Sequence, residues 1–337
     1  MTLSSRQSKL DFLIWLRAIA TLCILLCHYL TESTNVYFAM GTQLFSIGVP
    51  LFFAMSGFLF GYRGVRKPYS LWFWSRIVRI GLPYWLFLLT LAIVYICLER
   101  NILTFHWLAL VFWAQGSDVG VLGAEHTWFI SAIAICYLAT PMISLINEKF
   151  CKADRRYIWL VVLLLCFVTV ILAVIPQSFV YTLLSPVCLY AFAFVVGSNF
   201  SKVRITQTGV RVAFVLIVAS VGGRLLGRAL CDGSILYDRL IVSYTEWVTV
   251  FCLAYICAFF LWDRQTPKVI RIVNDYSFEV YLYHYMLTVG PISLFGLTPW
   301  WGIDCLIVTA VTLGVAFVAN YISRWLYRSR RFHKNDP

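Results

Sequence analysis

Charge is what this sequence has least of. Asp, Glu, Lys and Arg make up 12% of its 337 residues, about half the share in a soluble globular domain. Together with 61% hydrophobic residues, that scarcity excludes a water-soluble fold and predicts a polytopic membrane protein. Acids are scarcer than bases, 15 against 27, which leaves a formal charge of +12. Such a surplus can serve nucleic acid. Here Lys and Arg collect in alternate short loops, the topogenic pattern of membrane proteins, so no nucleic-acid partner is expected. Cysteine is present at 11 copies, yet there is no C-x-x-C pair and no Cys/His spacing suited to zinc; no metal is expected. There is no G-x-S-x-G turn to mark a serine nucleophile. Arg6 and Lys9 precede an apolar run as in a signal peptide, but Arg17 interrupts the run and no small-residue cleavage site follows, so an uncleaved first span is expected. No long linker, internal repeat or low-complexity tract stands out. One integral membrane domain over 1–337 is the expectation, with its chemistry inside the bundle and its loops.

The fold class is all-α, a bundle of about ten transmembrane helices. Apolar stretches long enough to span fall at about 11–31, 44–62, 80–98, 126–147, 157–175, 180–199, 209–226, 243–262, 277–296 and 302–326. The run 102–115 is short and reads as re-entrant or interfacial. With these spans, 23 of the 27 basic residues fall on one side, leaving Arg100, Arg224, Arg228 and Arg239 on the other. Both termini are therefore expected in the cytoplasm.

Inside the first span sit Arg17 and His28. Eleven helical residues return to within roughly 20° of the starting face and rise about 16 Å, so the two share one stripe three turns apart. A charge at that depth is disfavoured by a few kcal/mol unless it faces protein or water. Snorkelling and a structural hydrogen bond explain the pair equally well. In SRIVRIGLPYW, Arg76 and Arg79 stand at i, i+3 before Pro83. Both guanidiniums lie on one helical face, suited to a phosphate-bearing ligand or to lipid headgroups. Ser56-Gly57 in a span reads as a close helix contact. Glu125, His126 and Trp128 open the fourth span at the outer face, where Trp is an ordinary anchor and the Glu-His pair a possible acceptor site. Ser277, Tyr281 and His284 form a polar stripe at i, i+4, i+7 on the ninth.

Taken in order, these elements resemble the acyltransferase-3 family of integral membrane acyltransferases, over most of the chain. Arg17 and His28 fit its R-x10-H signature, FFAMSGFLF its F-F-x-x-S-G-F pattern, and Arg76-x-x-Arg79 its R-x-x-R motif. HTWFI from His126 fits H-x-W-F/Y, and Tyr281 to His284 fits Y-L-x-H. Some members append a secreted esterase-like domain; this chain looks like the stand-alone form.

The resemblance implies transfer of an acyl group, most often acetyl, from cytoplasmic acyl-CoA to a sugar hydroxyl of a polysaccharide or lipid-linked oligosaccharide on the outer side. It implies the bacterial inner membrane and membrane lipids as surroundings. Arg17, Arg76 and Arg79 are then expected to hold acetyl-CoA by its phosphates, with Tyr281 and His284 on the donor path. His28 is expected as general base, with Glu32 one turn on to orient its ring. Glu125, His126 and Trp128 are expected to bind the acceptor. His284 is placed two turns above the cytoplasmic face, so a metal site shared by His28, His126 and His284 is not expected. The rival class is a transporter or flippase using intramembrane His and Arg, against which stands the lack of an inverted repeat; a membrane polymerase or glycosyltransferase is disfavoured by short outer loops with few acids.

Overall fold

In the computed structural model the described residues are 10–33, 35–65, 68–116, 120–151, 156–175, 178–231, 233–262 and 264–332. Their regular structure is entirely helical, with no strand among them. Twelve α-helices follow in order: α1 (Asp11–Thr31), α2 (Val36–Phe45), α3 (Gly48–Arg63), α4 (Tyr69–Cys97), α5 (Phe105–Val111), α6 (Trp128–Ile146), α7 (Arg156–Val174), α8 (Ser178–Ser198), α9 (Gln207–Cys231), α10 (Val242–Leu261), α11 (Lys268–Thr288) and α12 (Trp301–Phe332). Eight segments among the described residues are long and apolar enough to cross a membrane. Large apolar side chains stand exposed along α4, α7, α9 and α12, among them Leu89, Leu163, Phe214 and Phe317. That outer belt suits hydrocarbon rather than water.

Two of the ten expected spans fall outside those eight. The helix α7 itself runs Arg156–Val174, 19 residues, over the extent expected for the fifth span, with its fully described part from Leu160. The ninth shifts along the chain: α11 begins at Lys268, nine residues before its apolar part, and stops at Thr288. Gly290, Pro291, Gly296 and Pro299 follow and end it, because Pro lacks the donor and Gly loses the most freedom in a helix. Of its charged residues Lys268, Arg271 and Asp275 stand exposed in the first turns, whereas Glu279 is buried with almost all of Ser277 to Thr288. A helix wrapped by protein can hold polar groups that a lipid-facing one cannot.

Likewise α4 begins at Tyr69, so Arg76 and Arg79 lie within it, two turns in, rather than in the connection between the expected spans 44–62 and 80–98. The helix runs on through Pro83, which leaves the Arg79 carbonyl four residues earlier without a helical donor. The run 102–115 holds only the seven-residue α5. Arg224, expected at the outer end of its span, is buried in α9; it donates to Ser46 Oγ at 3.0 Å and to Thr245 Oγ1 at 3.0 Å, and faces Glu246 at 3.8 Å.

Two helix pairs set the frame. Between α3 and α8 the backbones nearly touch: a Cβ added at Gly57 or Gly61 would run into the carbonyl oxygens of Tyr190 or Phe194, and one at Gly197 into that of Phe58. This is the close contact that small residues permit between membrane helices. Between α1 and α11 the contacts are polar and in register. Asp11 accepts from Thr266 Oγ1 at 3.2 Å and from Arg271 at 3.4 Å, Arg17 Nη1 donates to Asn274 Oδ1 at 3.0 Å, and the His28 ring lies 5.2 Å from that of His284. The pairs 17–274 and 28–284 differ in offset by one residue, so the two helices run parallel.

Candidate active site

Arg17, six residues into α1, opens onto a cavity of about 530 Å³ walled by α1, α3, α4, α6, α11 and α12. That is within the range for small-molecule sites. Arg76 and Arg79 of α4 and Arg324 of α12 line it with Arg17, facing two carboxylates, Asp275 and Glu279. Glu279 is tied down, accepting from Asn320 Nδ2 at 2.9 Å. Arg324 meets Asp275 only at 3.9 Å, with both side chains more than half exposed, an interaction of little strength. The Arg76 guanidinium stands 5.3 Å over the Phe60 ring, a cation–π contact. Four guanidiniums against two carboxylates make the cavity a place for an anion. Ser56 also lines it, one residue before the glycine that seats α3 on α8.

The cavity wall includes Tyr281 and Phe129. Beyond Tyr281 lie three histidines. The Tyr281 ring is 5.0 Å from that of His126 and its hydroxyl donates to the His126 carbonyl. His284 sits between the other two, 5.2 Å from His28 and 5.4 Å from His126. Tyr285 packs against both outer rings, edge-on to His28 and stacked on His126, at 4.8 Å each.

This corrects the expected depth of His284. Counted from Lys268 it lies sixteen residues up α11, about 24 Å, and His28 lies seventeen residues up the parallel α1. Counting from the first apolar residue of α11 instead put it far too low. The depth argument against a three-histidine metal site falls with it; among the described residues no group of three or more His, Cys, Asp or Glu side chains is placed to hold an ion.

Hydrogen bonds fix two of the three tautomers. His284 Nδ1 lies 2.7 Å from the Tyr281 carbonyl and 3.2 Å from that of Val280, and His126 Nε2 lies 3.1 Å from that of Leu282. Carbonyls only accept, so those nitrogens carry the protons. His284 Nε2 and His126 Nδ1 are left as buried lone pairs without a partner.

The other expected site residues separate. Glu32 is the C-cap of α1, its main-chain N–H donating to Leu30, and burial raises its carboxyl pKa above the ordinary value. No hydrogen bond joins it to His28 among those of the described residues. Glu125 accepts the Gly123 N–H at 2.7 Å, across a turn in which Gly123 has φ +92°, while its charge and that of Glu32 both reach Tyr285. Trp128 stacks on Phe53 at 6.4 Å. Sequence reasoning missed Tyr285, Asn274 and the α12 wall. Asn320, Arg324 and Tyr327 at i, i+4, i+7 were the available signal for that wall, concealed in what read as a basic helix end.

A polytopic helical membrane protein with an arginine-lined internal cavity and a buried histidine cluster is the class these features define. The sequence model of the acyltransferase domain family matches residues 10–320, a span that includes every residue of the cavity wall but Ser323, Arg324 and Tyr327. The chain belongs to that family of acyltransferases. No curated protein and no solved structure matches it.

Proposed function

We propose that the protein moves an acyl group, acetyl in the first instance, from acyl-CoA to a sugar hydroxyl at the opposite membrane surface. The observation that carries this is the parallel α1–α11 ladder, which sets Arg17 beside the anion-favouring cavity and His28 beside His284 three turns further along. The donor's phosphates bind at Arg17, Arg76 and Arg79 from the cytoplasm, through charge-assisted contacts. The acyl arm passes Tyr281 to reach the histidines. The acceptor arrives from the other side, near His126, Glu125 and Tyr285.

His28 is half-buried and takes the role of general base. It removes the acceptor hydroxyl proton as that oxygen attacks the thioester carbonyl. The carbon–sulfur bond then breaks, the acyl group stays on the sugar oxygen, and the departing thiolate recovers the proton from the His28 imidazolium. The test uses the full chain in lipid nanodiscs with labelled acetyl-CoA and an isolated surface glycan. His28→Ala is expected to bind the donor as before and to lose at least about a hundredfold in turnover, the usual share of a general base. Undiminished turnover in that variant overturns the assignment, and wild-type protein that moves no label in the absence of any ion gradient overturns acyl transfer itself.

A further inference from the structure

His284 is buried completely, yet it keeps one nitrogen unmet. Its Nδ1–H is held by the Tyr281 and Val280 carbonyls of its own helix, so the ring can neither flip nor change tautomer without breaking those bonds. The lone pair on Nε2 therefore points in a fixed direction, and it has no partner. Buried acceptors are almost always satisfied, and one that is not calls for a donor. The ring that His284 meets at 5.2 Å is His28, with the planes tilted by 43°. His28 makes no hydrogen bond among the described residues, so nothing holds its own tautomer. Glu32 makes no hydrogen bond to it, and Tyr285 meets it as a perpendicular ring contact, at 88°, with no hydrogen bond between them.

We propose that His284 is the positioning residue of His28: its Nε2 accepts an N–H of the His28 ring, and the other nitrogen of His28 keeps the lone pair that faces the acceptor hydroxyl. The pairing forms as His28 turns about its Cβ–Cγ bond. The resulting chain, main-chain carbonyl to His284 to His28, does with a neutral imidazole what a carboxylate does for histidine in hydrolase triads. It holds the tautomer before reaction and receives a stronger, charge-assisted N–H once His28 has taken the proton. His126 resembles His284 in its locked tautomer and unmet lone pair, but it meets His284 and Tyr285 rather than His28. The catalytic half of this inference rests on the acyl-transfer reading above; the pairing itself does not.

The chain has five histidines, few enough for nitrogen NMR of histidine-labelled protein in nanodiscs, with the His28 signals assigned by their loss in His28→Asn. Wild-type His28 is expected to hold a single neutral tautomer. His284→Phe, which keeps an aromatic ring and removes the acceptor, is expected to show both tautomers. His284→Gln, whose amide oxygen still accepts, is expected to retain one. In turnover, His284→Phe should lose at least tenfold in kcat with donor KM within twofold of wild type, and His284→Gln should recover part of the loss. A mixed tautomer in wild type, or a single one unchanged in a folded His284→Phe protein, overturns the pairing. Should His284→Phe fail to fold, wild type and His284→Gln decide it: both must show one tautomer. A wild type that transfers nothing while its His28 tautomer depends on His284 sinks the acyl-transfer reading and leaves the pairing standing.

Discussion

The α3–α8 crossing and the α1–α11 pair are both helix–helix contacts inside one membrane bundle, and they are built on opposite terms. Along α3–α8 glycines bring backbone against backbone, with Gly57 and Gly61 under the Tyr190 and Phe194 carbonyls. Along α1–α11 the contacts are Asp11 with Arg271, Arg17 with Asn274, and His28 against His284. Lipid tails are as apolar as leucine, so burying apolar surface between helices gains little there, and close packing of small residues has to supply the association. Charged and titratable groups cost free energy wherever they sit in that environment and are kept where chemistry needs them. The first pair holds the bundle together; in the function proposed above, the second positions the reacting groups.

Breaking the first pair gives the largest effect. Gly61→Leu drives a branched side chain into the Phe194 backbone, and the two helices cannot stay at their present distance. No folded protein is expected in mild detergent, read by size exclusion and thermal unfolding. Gly57→Ala is the graded version, an overpacking expected to cost about 1–3 kcal/mol. Stripping charge from the cavity that the second pair borders is expected to leave the fold and weaken donor binding. Arg76→Ala with Arg79→Ala should keep the melting temperature within a few degrees and raise the donor KM at least about tenfold, since each charge-assisted hydrogen bond is worth about 1.5–3 kcal/mol. The loss should shrink in high salt, where screening already weakens wild-type binding. Donor affinity untouched by the double change would move both arginines to the lipid-anchoring role.

The same contrast explains what could be read from the sequence. A residue's helical phase depends only on local spacing, so the common stripe of Arg17 and His28, the shared face of Arg76 and Arg79, and the glycine contact of Gly57 are all found in the structure. A helix's start within the bundle depends on what covers it. Apolar content locates α1 and α8 well because lipid or apolar protein surrounds them. It mislocates α11, whose first turns from Lys268 to Tyr276 are polar and largely exposed and so give no apolar signal, and the depth of His284 went wrong with it. Tyr285 was invisible for a related reason, since an aromatic residue in a membrane span has too many ordinary uses. Arg324 was absorbed into a basic helix end, although it lies at i+4 from the cavity residue Asn320.

The smallest expected effect sharpens the comparison most. If a carboxylate orients His28, Glu32 one turn further along is the residue placed to do so, and Glu32→Gln should then lose turnover on the scale of a triad acid. The structure gives Glu32 a different occupation: its main chain caps α1 and its side chain is partly open to solvent. A charge in that position contributes by field alone, at most about 1 kcal/mol, which corresponds to about a fivefold change in rate. Glu32→Gln is therefore expected to stay within about fivefold of wild-type kcat, well above His284→Phe, when both are measured on one preparation with saturating acetyl-CoA. The reverse order, with Glu32→Gln the more damaged protein, would return the orienting role to the carboxylate and reduce His284 to packing.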